Sequence, residues 1–404
     1  MLSRGDCIMI QRQIILEHPE RFSGSYEISK QKIDMAIEKA LNKLESNIPE
    51  WTDCFPGTSS VDYKYVPGTN NNWECGMRTG TYWLAYELSG NPKFREVAEK
   101  QLATYKDRFE HKVGLSDHDV GFVYTPSCVA AYKVTGDEHI RRLALEVADY
   151  YYRTSYTKEG GFILRGWTWQ EQMGGCRTMM DTLMNASFLF WAGQECGRQE
   201  YTEAALSQNK MTEKYLIRED GSSFHHYQFE LGTYKPLYGL TLQGYSNDSC
   251  WSRGHAWGVY GFPIAYSYTK EPFLLEVYKE ITYYMLNHLP KDMLPYWDYT
   301  FTEGEEPRDS SAAVINACGM LEMCKYLPDT APEKQIYQNA AAQLVEAVID
   351  RCTGDIGRDY DGLICHVTHA CPQKIGIDEC AVYGDYFYLE ALLRMVKPEW
   401  NRYW

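Results

Sequence analysis

Three things are missing from this sequence, and each absence closes off a class of protein. Positive charge is not in excess: 40 Lys and Arg stand against 55 Asp and Glu, a net charge of −15. A nucleic-acid or anionic-membrane partner would call for a basic patch, so neither is expected. Metal-site and redox spacing is also absent, since the 13 cysteines form no CxxC pair, no HExxH occurs, and nothing has zinc-finger spacing. His366 and His369 form a lone H-x-x-H. The third absence is a long apolar run. Residues 1–22 hold no sustained apolar stretch, and no later segment is long and apolar enough to span a bilayer. An odd number of scattered cysteines in a chain of 404 residues reads as reduced, mostly buried thiols, and so as a cytoplasmic protein.

What the chain has in quantity is aromatic surface: 33 Tyr and 11 Trp. Rings with a polar tip suit both a core and a wall that faces sugar. A composition 44% apolar and 24% charged is that of an ordinary globular chain.

The organisation shows in a repeated phrase that ends one helix and starts another. It reads YELSGNPKF at 86–94, YKVTGDEHI at 132–140, QECGRQEY at 194–201 and YSYTKEPFL at 266–274, with a looser copy in KYLPDTAPEKQIY at 325–337. Gly supplies a left-handed helix end, and Asp, Asn or Pro suits the next start. Flanking segments repeat apolar residues at helical spacing, as in Ile33-Ala36-Ile37-Ala40-Leu41 and Ile140-Leu143-Ala144-Val147. About twelve helices in six unequal hairpins predict an all-α chain closed into an (α/α)6 toroid (a six-hairpin barrel), because solenoid repeats are shorter and more uniform. We expect one domain over residues 1–404, with 1–25 an N-terminal extension packed on it. Long loops rich in Trp, Gly, Asp and His at 49–77, 111–121, 158–180, 220–252, 290–311 and 352–385 are where such a scaffold carries function.

Three motifs carry chemistry. In RTMMDTLMNASFLFWAG (177–193), Asp181 and Asn185 share a face of an apolar helix. Desolvation there should raise the Asp181 pKa toward general-acid use; the plain alternatives are a helix cap or a partner for Arg177. In LSDHDVGFVY (115–124), Asp117 or Asp119 caps the next helix, or the Asp117-His118-Asp119 run aims a second carboxylate into the funnel. In QGYSNDSCWSRGHAWGVYGF (243–262), Arg253 and Trp257 are i, i+4 neighbours, as are Trp251 and His255. A guanidinium grips a carboxylate through two parallel bonds and an indole stacks on a sugar; alone, the pair would be a structural cation–π contact. PYWDY (295–299), RDSSAA (308–313) and YGDYFYLEALLR (383–394) read as architecture, with helix caps at Asp309 or Ser310 and at Asp385.

With WECGMRTGTYWLAYELSG (73–90) and DHDVGF, MDTLMN, PYWDY, RDSSAA and YGDYFYLEAL in order, the chain resembles the unsaturated glucuronyl hydrolases of glycoside hydrolase family 88 over nearly its whole length. The resemblance implies an enzyme without metal or cofactor. Its substrate would be a small acidic oligosaccharide left by a polysaccharide lyase, of glycosaminoglycan type, ending in a 4,5-unsaturated uronic acid. The implied chemistry is hydration of the C4=C5 vinyl ether, so the carboxylate-spacing rule for retaining and inverting glycosidases does not apply. Asp181 matches the general acid/base and Asp119 the second essential aspartate. Gln243 and Arg253 match groups around the uronate, Trp73 and Trp257 the stacking walls, and His225 and His118 polar neighbours. The segment HVTHACPQKIGIDECAVYGDY (366–386) keeps Lys374 but lacks the serines that contact sulfate in some members. The alternatives are an unsaturated rhamnogalacturonyl hydrolase and a non-catalytic sugar-binding toroid. The working form is expected to be a monomer or a homodimer.

Overall fold

The structure, a computed structural model, describes residues 12–165, 176–354, 357 and 359–404; residues 1–11 of the expected extension lie outside the described set. Twelve long helical segments are present among the described residues. They are α1 (Lys30–Ser46), α2 (Cys75–Ser89), α3 (Pro92–Glu110), α4 (120–135, with a π-helical turn at Thr125–Val129), α5 (Glu138–Ser155) and α6 (Thr182–Cys196). Then come α7 (Gln199–Tyr215), α8 (Ser252–Thr269), α9 (Phe273–Asn287), α10 (Ser310–Cys324), α11 (Pro332–Cys352) and α12 (Val382–Val396).

The sequence separates these into two kinds. Odd-numbered helices bury a stripe: α1 hides Ile33, Ala36, Ala40 and Leu44, and α5 hides Ala144, Val147, Ala148 and Tyr151. Even-numbered helices are buried all round, as in the unbroken run from Thr182 to Gly193 on α6. A helix apolar on every side must be enclosed on every side. The even helices accordingly form an inner ring: α2 packs on α4, α4 on α6, α6 on α8, α8 on α10, α10 on α12, and α12 back on α2. This closed ring, sheathed by the odd helices, is the expected (α/α)6 toroid.

Every repeated phrase proves to be the C-terminal end of an inner helix. Gly90 after α2 and Gly197 after α6 are left-handed, with φ 69° and 70°, and Lys270 takes the same conformation after α8 at φ 58°. The short links therefore sit at one end of the barrel and the long connections at the other, where the inner helices begin. Helix N-termini carry the positive end of the peptide dipoles and unpaired N–H groups. That end of the barrel is disposed toward anions.

Two of the long connections are not loops throughout. β1 (Cys176–Met179), β2 (His226–Phe229) and β3 (Pro236–Leu240) form an antiparallel sheet in that order, with Met179 opposite His226. The chain from 12 onward lies on the outer helices, where Arg12 donates to the Arg218 carbonyl (2.9 Å) and pairs with Glu280 (2.9 Å). At the far end the C-terminal tail enters the barrel: Trp404 stacks on Phe387 (5.9 Å) and meets Phe122 edge-on (6.0 Å). No helix of the described residues is long and apolar enough to cross a membrane.

Candidate active site

At the loop end a cavity of ≈ 140 Å³ lies between the starts of α2, α4, α6 and α8. Its walls are Trp73, His118, Asp119, Phe122, Asp181, Gln243, Arg253 and Trp257, together with Arg165, Met179, Trp251 and His369. Seven of the eight residues singled out in the sequence thus face one space. The eighth, His225, stands directly behind Asp181.

Asp181 is not inside a helix, as the apolar pattern suggested. It occupies the position before Thr182, the first residue of α6, and its side chain makes no capping bond. Asp119 holds the same position before α4 and also leaves the cap unmade. Two adjacent inner helices therefore each give up a stabilising cap and turn a carboxylate into the cavity. Asn185, one turn into α6, ties the two starts together. Its amide donates to Asp119 Oδ1 (3.3 Å) and to the Asp181 carbonyl (3.1 Å), while its Oδ1 accepts from the Phe122 N–H (2.7 Å). The helices approach so closely there that a Cβ on Gly121 would lie 2.4 Å from the Asn185 carbonyl oxygen. Only glycine fits.

Each carboxylate has an imidazole behind it. His225 Nε2 lies 3.1 Å from Asp181 Oδ2. The sheet places it: Met180 N–H bonds the His225 carbonyl at 3.0 Å, just beyond the Met179–His226 register pair. His118 sits between two carboxylates, Nδ1 on Asp117 and Nε2 3.3 Å from Asp119 Oδ1.

These partners set the protonation order, and it differs from the expected one. Burial drives Asp119 up, with Asp117 and Asp181 adding repulsion and His118 opposing; its pKa reaches about 6. Burial acts on Asp181 as well, but His225 and His118 outweigh it, and its pKa falls below the ordinary carboxyl value. Burial lowers the pKa of His225, so at neutral pH its Nε2 gives Asp181 a hydrogen bond from an uncharged ring. Burial disfavours a charged His118, yet Asp119 and Asp117 prevail and raise its pKa. The predicted rise thus falls on Asp119. Arg177, the suggested partner of Asp181, lies on β1, where burial lowers its pKa and the charge of Asp117 opposes that fall.

Arg253 is where the motif placed it but is not a free clamp. Its Nη1 donates to Asp309 Oδ2 (2.6 Å) and to the Thr368 carbonyl (2.7 Å), and Nη2 donates to the His369 carbonyl. The guanidinium lies over the rings of Trp251 (4.4 Å) and Tyr383 (4.7 Å). Gln243 donates to the same His369 carbonyl at 3.1 Å. Trp73 stacks on Tyr383 (5.4 Å) and Trp257 leans on Phe122 (5.0 Å), making the apolar walls. Asp309 does cap α10, accepting from Ser311 N–H at 3.2 Å. Asp385 caps nothing, and instead accepts from Leu363 N–H and the Tyr65 hydroxyl.

Sequence reasoning passed over His369, whose Nδ1 faces the Tyr383 hydroxyl at 3.1 Å and whose pKa burial and Arg253 press down to about 3. Its signal was the H-x-x-H pair, but His366 turns aside to Asp378. Among the described residues, the one group compact enough to ligate a metal is Asp117, His118 and Asp119, with ligand atoms within 4.8 Å. Both nitrogens of His118 already face the two carboxylates, so the group is explained as an ion-paired triad.

A closed helical toroid with paired carboxylates between aromatic walls suits a carbohydrate-active enzyme. The profile of Glycosyl Hydrolase Family 88 matches residues 51–304. An unsaturated chondroitin disaccharide hydrolase of Streptococcus pneumoniae is 39% identical over 96% of this chain and 98% of its own. An unsaturated glucuronyl hydrolase of a Bacillus species is 35% identical over 89% and 96%. The crystal structure of an unsaturated glucuronyl hydrolase from Streptococcus agalactiae superposes with a TM-score of 0.92 at 36% identity, covering 96% of this chain and 98% of that one. The chain belongs to glycoside hydrolase family 88, and it is a glycosidase.

Proposed function

We propose that this enzyme removes the terminal 4,5-unsaturated uronic acid from chondroitin-type disaccharides by hydrating the C4=C5 bond. The carrying observation is the pair of uncapped helix starts, which commits Asp119 and Asp181 to one cavity and backs each with an imidazole. The names of the relatives support the substrate class, as does an S. agalactiae structure holding a ΔGlcA–GalNAc6S ligand.

In this reading the unsaturated ring lies between Trp73 and Trp257. The Asp119–Asp181 pair holds one proton at mildly acid pH, resting on Asp119. The anionic uronate and the loss of water raise Asp181, which takes up the proton and delivers it to C4. Positive charge develops at C5, shared with the ring oxygen. Asp181, now a carboxylate, takes a proton from water whose oxygen bonds to C5. The resulting hemiketal opens by breaking the bond from C5 to the ring oxygen, and the C1 hemiacetal left behind releases the second sugar. Arg253 and Gln243 act mainly by holding the 368–369 carbonyls that shape the wall, and Arg253 keeps its remaining donor capacity for the uronate.

The whole chain is read as one catalytic domain, including the N-terminal extension. A reducing compartment, the cytoplasm, suits the twelve described cysteines, all of them free thiols. The test is the near-UV absorbance of an unsaturated chondroitin disaccharide, which disappears on hydration. Asp181→Asn should slow that loss by about a thousandfold or more with an unchanged circular dichroism spectrum. Full activity in the variant would sink the assignment.

A further inference from the structure

A cavity of ≈ 140 Å³ is well below the roughly 300 Å³ at the small end of pockets for drug-sized ligands. It takes one sugar ring, so the next sugar of the substrate must rest on the surface just outside. Gln243 and Trp251 both line the cavity, and the chain between them leaves the wall and returns to it. Tyr245 stands on that excursion, two residues from Gln243 and therefore within roughly 7 Å of chain. At 61% it is the most exposed Tyr, Trp or Phe among the described residues.

The exposure is not that of a loose side chain. The Tyr245 N–H donates to Asp298 Oδ2 at 2.9 Å. Asp298 is itself fully buried and held by the Ser249 hydroxyl (2.6 Å) and the Thr300 N–H (3.0 Å). Edges of Phe301 (5.1 Å) and Trp297 (6.4 Å) brace the ring. Leu242, three positions earlier in the chain, is also exposed, and its carbonyl accepts from Gln373 at 2.9 Å, which ties this connection to the loop that carries His369. A wet aromatic face fixed in place by buried groups is what stacking on a sugar needs, because little side-chain freedom is lost on contact.

The geometry points to Tyr245 as the platform for the first sugar beyond the unsaturated one, a specificity-determining residue outside the reacting pocket. This rests on the proposed function. The experiment compares kcat/KM for an unsaturated, unsulfated chondroitin disaccharide with that for the methyl glycoside of the same unsaturated uronate. In Tyr245→Ala the ratio of disaccharide to methyl glycoside should fall about threefold to tenfold through KM, and Tyr245→Phe should keep the ratio of the unsubstituted enzyme. An unchanged ratio in the alanine variant overturns the proposal. An equal fall in the phenylalanine variant also overturns it, since the hydroxyl and not the ring would then be responsible. Failure of the unsubstituted enzyme to turn over either compound is a separate result, which counts against the functional reading itself.

Discussion

A carboxyl whose pKa is raised by its fold stores a cost that the rest of the molecule carries. The folded chain holds the Asp119 proton to about pH 6, whereas an unfolded chain releases it near the ordinary value of about 3.9. The stability that this one group contributes is therefore full below the unfolded value and is lost as pH rises through 6. Asp119→Asn removes that loss. The variant should be more stable than the parent at pH 7.5, by at most about 3 kcal/mol, and the gain should shrink by pH 4.5; thermal melts at the two values decide it. The same proton is the one that reaches the substrate, so kcat/KM should decline as pH rises through about 6. A rate still level at pH 8 would contradict the shared-proton scheme. A carboxyl raised by desolvation was legible in the sequence, but not which of the two aspartates would carry it. The residue types were readable, but burial, His118 and Asp117 act on Asp119 while His225 acts on Asp181, and which force wins depends on distances.

Helix ends divide along the same line. Gly90 and Gly197 could be read from the sequence because a left-handed residue is a local demand, met within a few positions. The start of α6 could not be read so well. Asp before an apolar run marks a cap position, and the chain does turn helical at Thr182, yet nothing local says whether the side chain turns back to cap or outward to a ligand. His225 and the β1–β2 register decide that, and they come from 44 residues away. Arg253 is similar, since its partner Asp309 lies 56 positions further on. Gly121 tests how the α4 and α6 starts depend on each other. In Gly121→Ala the new methyl would meet backbone of Asn185, which cannot swing aside, so α4 must shift and the Asn185–Asp119 bond must open. We expect a stability loss of about 1–3 kcal/mol and a fall in kcat of about tenfold to a hundredfold with KM little changed. A lower melting point with kcat intact would show that Asp119 is placed by other contacts.

At the scale of the whole molecule, closure separates a toroid from a stack of hairpins. In an open array each repeat meets only its neighbours and the ends can fray. Here the last inner helix packs on the first, and the C-terminal tail joins both to the middle of the ring. Glu322 on α10, fully buried, accepts from Arg394 on α12 (2.7 Å) and from Arg402 on the tail (2.6 Å). Trp404 reaches Glu390 on α12 (3.0 Å), and Lys133 on α4 donates to the Arg402 carbonyl (2.6 Å). The cations hold the Glu322 carboxyl well below its ordinary range despite burial. Removing one of them leaves a buried charge short of a partner, at a cost of about 3–5 kcal/mol. Arg402→Ala should therefore move the urea midpoint down, and because the ring is closed the loss should be shared by the whole chain. Far-UV circular dichroism and tryptophan fluorescence should shift together and remain superimposable. If one probe shows an early transition that the other does not, the barrel opens at its seam before it unfolds, and the tail is a local fastening with no hold on the ring as a whole.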